Sequence, residues 1–448
     1  MYIEMDPPKI VLIGAGSVVF TLRMLQDLLY HQDNLGGATI VFVDIDERLL
    51  DRITNLARQL IGQTNADYTI RHTTDRTEAL IDAKYVIISV EIERDRLWQL
   101  DWEIPLKHNV HHILGENAGP GGLSHTLRIV PLVLEICRDI ERICPDAWVL
   151  NLTNPESRVC LAISRYTALK VVGLCHQIGE GHYIAAHLLG LVERAGPWPD
   201  NLHKQEVAKL LIDIKAAGIN HFTWMLAVHD EETGRDLYPD LRAAARVADP
   251  DFQPLSRYLL NLTGLMPATG DTHAGELIGY AWEFVGLSGF DFELMAERRR
   301  GFDQMLADAD QGTADLTPWT QGHSGERVVD FIVALNGNGN TFELSANILN
   351  RGCISNLPNK AIVEVPVLVS SSGIQGLHIG LLPTGIAAMC NQQIAIQELA
   401  VEAAITGDRR VALQALLLDP VVTSHETAET LLDDLLSKHE KYLPQFQH

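Results

Sequence analysis

The chain has 448 residues, 46% of them hydrophobic, and 35 Lys and Arg stand against 58 Asp and Glu, a net charge of −23. That length buries a substantial core in two lobes, and the acidic balance argues against nucleic acid or an anionic membrane as a partner. No apolar run reaches a membrane span, residues 1–8 lack a signal peptide's apolar core, and the six cysteines form neither a CxxC pair nor a disulfide framework, which points to a reducing cytoplasm.

Over residues 1–177 short β-rich runs alternate with amphipathic helical stretches, the pattern of a parallel sheet built from βαβ units. The expected strands are 9–13, 39–43, 68–71, 85–89, 148–151 and 171–175, with helices at 21–30, 47–63 and 123–142 between them. Past Cys175 the rhythm breaks. Residues 210–215 and 222–228 read as strands, a mostly helical region runs to about 306, and the polar stretch 308–324 reads as a surface loop. Strands are expected again at 341–347 and 361–370, then helices at 386–404 and 427–439. The fold class is therefore α/β: a Rossmann-type, doubly wound domain over 1–177, followed by a mixed α+β domain over 178–448 for substrate, metal and oligomer contacts.

The first strand runs into Gly14-Ala15-Gly16-Ser17 and then a helix. A glycine turn there lets backbone approach a pyrophosphate at a helix N-terminus. Val19 takes the place of the third glycine of the usual fingerprint, so the loop alone is a weak signal. Asp44, at the end of the second strand, supplies the acid expected for the ribose hydroxyls, and it favours NAD over NADP. It falls 30 residues after Gly14, a delay that an insertion at 31–37 would explain.

Cys175-His176 closes the sixth strand, where open α/β sheets place ligands, with Asn151 and Asn154 ending the strand before it. His221 opens the strand at 222 after a glycine turn at Gly218. Thiolate and imidazole can hold a divalent ion, but a free Cys is more often a small buried hydrophobe, so spacing alone leaves the metal open. His108, His111 and His112, around a strand-like 110–114, read as surface, and His323 belongs to the polar loop.

The ordered set Gly14-Ala15-Gly16-Ser17, Val43-Asp44-Ile45-Asp46, Asn151-Leu152-Thr153-Asn154-Pro155, Gly173-Leu174-Cys175-His176, Gly218-Ile219-Asn220-His221 and Pro358-Asn359-Lys360 resembles glycoside hydrolase family 4, the NAD- and metal-dependent glycosidases. This family stands outside the usual two-carboxylate scheme of glycoside hydrolysis. The resemblance implies transient oxidation at sugar C3 by NAD, C2 deprotonation assisted by Mn²⁺ on Cys175 and His221, elimination, water addition and re-reduction. It implies Glu116 as general acid, where the family often has Asp, and Asp271 or Tyr280 as base. Asn154, His176 and Asn220 would bind the sugar. Mn²⁺ generally prefers oxygen, whereas a thiolate and an imidazole alone would suit Zn²⁺ or Co²⁺.

His176, where phosphosugar branches show Asn, points to an unphosphorylated α-glycoside of the α-galactosidase or α-galacturonidase kind. A neutral hexose stands ahead of a uronate. Two competing readings follow from the first domain alone: an NAD-dependent 2-hydroxyacid dehydrogenase of the lactate/malate type, and a non-catalytic NAD-binding protein. Residues 383–404 suit either a homodimer or homotetramer interface or the core.

Overall fold

The structure, a computed structural model, describes residues 7–196, 200–337 and 339–447, so of residues 1–8, read above as lacking an apolar core, the first six lie outside the described residues. Six parallel strands come first: β1 (Lys9–Ile13), β2 (Thr39–Val43), β3 (Thr69–Thr73), β4 (Tyr85–Ile88), β5 (Trp148–Asn151) and β6 (Lys170–Gly173). They lie in the order 3-2-1-4-5-6, the order of a dinucleotide-binding sheet. Successive side chains of a strand face opposite ways. Thus Ile10 and Leu12 pack with Leu22, Leu25 and Ile53 on one face, while Val11 and Ile13 pack with Leu127, Val130 and Leu431 on the other. Each such side chain, fully buried, contributes roughly 1.5–3 kcal/mol.

The sheet does not stop at β6. β7 (Ile212–Ile219), β8 (Phe222–Asp230), β9 (Met266–Pro267), β10 (Thr341–Leu349), β11 (Ile362–Ser370) and β12 (Gly373–Gly376) extend it, in the order β6-β10-β11-β7-β8-β9, with β12 on β11. β10 meets β6 at Asn347 and Gly173, and β11 meets β7 at Glu364 and Gly218. These added pairings are antiparallel, so the second half is mixed in kind but continuous with the first.

Several expectations shift. The helix expected from 123 begins at Gly119 and runs to Ile143, with Gly119-Pro120-Gly121-Gly122 as its first turn. Residues 110–114 form no strand, and His112 is buried, its Nε2 donating to the Trp102 carbonyl at 2.8 Å. Burial holds that imidazole down at about 4. The polar stretch is shorter than read, because the helix Phe292–Asp310 reaches into it and Thr317–Trp319 adds a 3-10 turn. Helix Thr384–Thr406 buries Ile386, Cys390, Ile394, Ala400 and Val401 against the sheet's helices, so it is core. Among the described residues no helix is long and apolar enough to cross a membrane.

Candidate active site

Four features converge at the carboxyl ends of β1, β2, β5 and β6. The glycine loop comes first. Gly14 has φ +94, and a Cβ there would lie 2.0 Å from the Ser89 carbonyl oxygen, so no side chain fits. Gly16 N donates to Asp44 Oδ2 at 2.6 Å, which ties the loop to the end of β2. Ser17 is exposed at the start of the helix Val18–Tyr30.

A cavity of about 700 Å³ opens from this loop. Its wall joins Gly16, Ser17 and Arg23 to His176, Glu180 and His273. The volume suits a small-molecule site.

Cys175 and His221 form the third feature. Cys175 lies two residues beyond β6, and His176 caps the helix Gln177–Leu188. The turn between β7 and β8 is Asn220-His221 itself; Gly218 sits inside β7, paired with Thr223. His221 takes φ +60, a left-handed conformation costly for a side chain and retained mostly where a site requires it. Its Nε2 lies 3.6 Å from Cys175 Sγ. With bonds of zinc length, about 2.3 Å to sulfur and 2.1 Å to nitrogen, that separation subtends about 110°, so the pair is close enough to share one ion. Burial, then Glu364 and Glu156, push the Cys175 thiol well up; a bound cation would reverse this and favour the thiolate. Burial and the neighbouring His273 hold His221 well below its usual range, neutral as a ligand must be.

The fourth feature is a set of buried acids. Glu364 accepts from Asn220 Nδ2 at 3.1 Å, from Ser345 Oγ at 2.9 Å and from Gln177 Nε2, and so fixes the turn that carries His221. Gln177 is thereby a buried positioning group. Glu116 is 4% exposed, and its Oε1 accepts from Arg94 Nη2 at 2.5 Å and from Asn154 Nδ2 at 3.2 Å. Burial alone would raise its carboxyl; Arg94, then His221 and His273, overcome that and hold it at about 2. Arg94 thus favours the ionised form of Glu116, the residue expected as general acid. Nearby Glu276 goes the other way, raised to about 8 by burial and the charge of Glu116.

The two expected bases are not presented to the cavity. Asp271 Oδ2 and Oδ1 accept from the amides of Leu255 (2.8 Å) and Ser256 (2.7 Å), so it caps the first turn of the helix Pro254–Thr263. Tyr280 sits among Tyr258 and Phe284, outside the cavity wall among the described residues. Arg94, Glu276 and Glu364 were missed in the sequence because no local motif marks a charged group whose partners lie as far as 187 positions away.

The profile of the Family 4 glycosyl hydrolases matches residues 9–189, and that of their C-terminal domain matches 216–422. The chain belongs to glycosyl hydrolase family 4. It is similar to an alpha-glucosidase of Erwinia rhapontici (32% identical, covering 97% of this chain and 98% of that protein). It is also similar to an alpha-galactosidase of Bacillus subtilis (30% identical, covering 98% and 100%). The solved structure of a 6-phospho-alpha-glucosidase from gut microorganisms, in complex with NAD and Mn²⁺, superposes with TM-score 0.82 at 20% identity over 99% and 100% of the two chains. A malate dehydrogenase of Plasmodium falciparum shares the fold, with TM-score 0.51 at 12% identity over 90% and 99%. Family membership makes the chain a glycoside hydrolase and sets aside the dehydrogenase and non-catalytic readings.

Proposed function

We propose that this family 4 enzyme cleaves an unphosphorylated α-glycoside of a neutral hexose, with NAD and Mn²⁺ as cofactors, in the cytoplasm and as a homodimer or homotetramer. The observation that carries the reading is the shared cavity: the dinucleotide loop, His176 and His273 line one space next to the Cys175–His221 pair. When bound, NAD would supply a reversible hydride acceptor, and the cation would polarise the sugar oxygens.

The chain's own residues do the rest. Gly14, Gly16 and Ser17 would receive the diphosphate, and Asp44, which holds the loop, would take the ribose. Cys175 and His221 would hold the ion. Asn154, anchored by Glu116, and Asn220, anchored by Glu364, offer amides to sugar hydroxyls, with His176 on the cavity wall. We place the C2 base at Glu180, the wall carboxylate one helical turn from His176, whose other contact is the Thr269 hydroxyl at 3.3 Å.

A neutral hexose is favoured because two of the wall arginines already have carboxylate partners, Arg23 with Glu326 and Arg299 with Asp95. The alpha-glucosidase and alpha-galactosidase relatives agree with that class. Six free cysteines suit a reducing compartment.

The test is turnover of p-nitrophenyl α-glucoside, α-galactoside and α-galacturonide with NAD, Mn²⁺ and reductant in D₂O. Aglycon release without net absorbance at 340 nm, and deuterium at C2 of the freed sugar, is the expected result. Cleavage confined to the uronide would overturn the substrate, and release with no deuterium at C2 would overturn the route.

A further inference from the structure

One guanidinium in the site faces two carboxylates. Arg94 Nη2 donates to Glu116 Oε1 at 2.5 Å, while its Nη1 stands 3.3 Å from Oε2 of the part-buried Glu91. Glu91 lies just past β4, and Glu116 precedes the helix Gly119–Ile143. The neighbouring Arg128 gives no help, because both of its terminal nitrogens already bind Asp101, at 2.9 and 2.5 Å. Two anions against one cation would leave an acid short of a partner in a place where burial makes that costly.

His125, buried on the helix Gly119–Ile143, supplies the missing charge. Its Nδ1 lies 3.0 Å from the Glu116 carbonyl oxygen, and its Nε2 lies 3.0 Å from Glu91 Oε2. A neutral imidazole has one donor and one acceptor nitrogen, but here both nitrogens face oxygens. Nδ1 must donate to the carbonyl, and a bare Nε2 would then set its lone pair against those of the carboxylate. A proton therefore lies between His125 and Glu91. Burial alone would raise Glu91 and lower His125; each overcomes this for the other, so the carboxyl sits below its usual range and the imidazole above, which puts the proton on the ring. The remaining charges around the ring are matched among themselves: Arg128 on the same helix pairs with Asp101 of the helix Arg94–Lys107, which His439 also faces at 3.0 Å. Glu91 and Glu116 thus meet two cations, Arg94 and His125.

We propose that His125 is a positioning residue of this site: by neutralising Glu91 it leaves Arg94 to Glu116, whose Oε1 in turn takes the Asn154 amide at 3.2 Å. This rests on the reading of Asn154 as a sugar contact given above. Without the proton on His125, Glu91 is a second bare carboxylate 3.3 Å from Arg94 and draws it away from Glu116. Asn154 then loses the fixed oxygen that aims it. The sign is specific: loss of the imidazolium does harm only while Glu91 is there to compete, so removing both groups restores the site.

The test joins nitrogen-15 NMR of the histidines to kinetics on the p-nitrophenyl α-glycoside that wild type cleaves with NAD and Mn²⁺. Wild type, His125→Phe, Glu91→Gln and the double variant are compared, with folding checked by circular dichroism and thermal melting. The signal missing from His125→Phe identifies the ring. Both of its nitrogens are expected to be protonated at pH 7 in wild type, and one to be bare in Glu91→Gln. KM is expected to rise at least tenfold in His125→Phe, with kcat changed less than threefold, and to return to within threefold of wild type in the double variant. In wild type KM should also rise as pH climbs through the measured titration of His125, and in Glu91→Gln it should not. A neutral His125 at pH 7 would overturn the inference, and so would a double variant as impaired as His125→Phe. Should His125→Phe fail to fold, the signal that moves in Glu91→Gln marks the ring, and the rise of KM with pH in wild type alone decides. Wild type cleaving no α-glycoside would bring down the substrate reading instead, and a neutral His125 would still overturn the inference on its own.

Discussion

Glu116 shows how surroundings decide the state of a residue. It is expected as the general acid, yet Arg94 at 2.5 Å holds its carboxyl down at about 2. If it is an anchor for Asn154, Glu116→Gln should raise KM for p-nitrophenyl substrates and lower kcat less than tenfold. A kcat loss of about 10²–10⁴, growing with the leaving group's pKa, would restore the donor role. Asp271 makes the same point from the other side. Both of its oxygens serve the amides of Leu255 and Ser256, so Asp271→Ala should cost about 1 kcal/mol of stability, the usual worth of a lost cap. Equilibrium unfolding in urea reads this directly, and unchanged stability together with lost C2 exchange would return Asp271 to the chemistry. Glu180→Gln, by contrast, is expected to abolish deuterium incorporation at C2 with little change in unfolding.

At the level of elements, the β1–loop–helix unit depends on one backbone shape. Gly14→Ala would need a left-handed alanine and a Cβ 2.0 Å from the Ser89 oxygen. We expect such a protein to bind NAD at least tenfold more weakly, read by fluorescence titration, while the strand pairs β1–β2 and β1–β4 persist. This unit was legible in the sequence because every signal in it is local: an apolar run, a glycine turn, an acid at the end of the next strand. The predicted strands at 9–13, 39–43 and 148–151 coincide with β1, β2 and β5 for the same reason. Boundaries slipped where tertiary context rules. The helix starts at Gly119, where Gly115 and Gly121 pack with almost no space between them, and β9 is two residues long, too short for any periodicity to show. Cys175 and His221 were found by motif. Their company, Glu276, Glu364 and Arg94, was hidden because folding alone brings it there.

For the whole molecule, the joint between the dinucleotide helix and the segment before Val328 titrates. Asp27, fully buried on Val18–Tyr30, accepts from Ser324 N and Ser324 Oγ at 2.6 Å each, with His323 3.7 Å away. Burial raises its carboxyl from 3.8 to about 7, against the pull of His323 and Ser324. Between those values the folded chain holds a proton that the unfolded chain has lost. Stability from this group is therefore full below 3.8 and falls as pH rises through 7. Asp27→Asn should flatten that fall, on the order of 2 kcal/mol between pH 5 and 7, in denaturant midpoints measured at both ends. Equal slopes in the two proteins would show that Asp27 is not the group responsible.

The continuous sheet has its own consequence. Within the sheet the two halves are joined by one residue pair, Asn347–Gly173, just before Cys175 in the chain, while Glu364–Gly218, just before His221, lies inside the second half. The broader seam is helical: Thr384–Thr406 lies on Gly119–Ile143 and Glu156–Tyr166. The spacing between the nicotinamide's berth and the cation would then be a gauge set by helix packing behind the sheet rather than by the strand ladder itself.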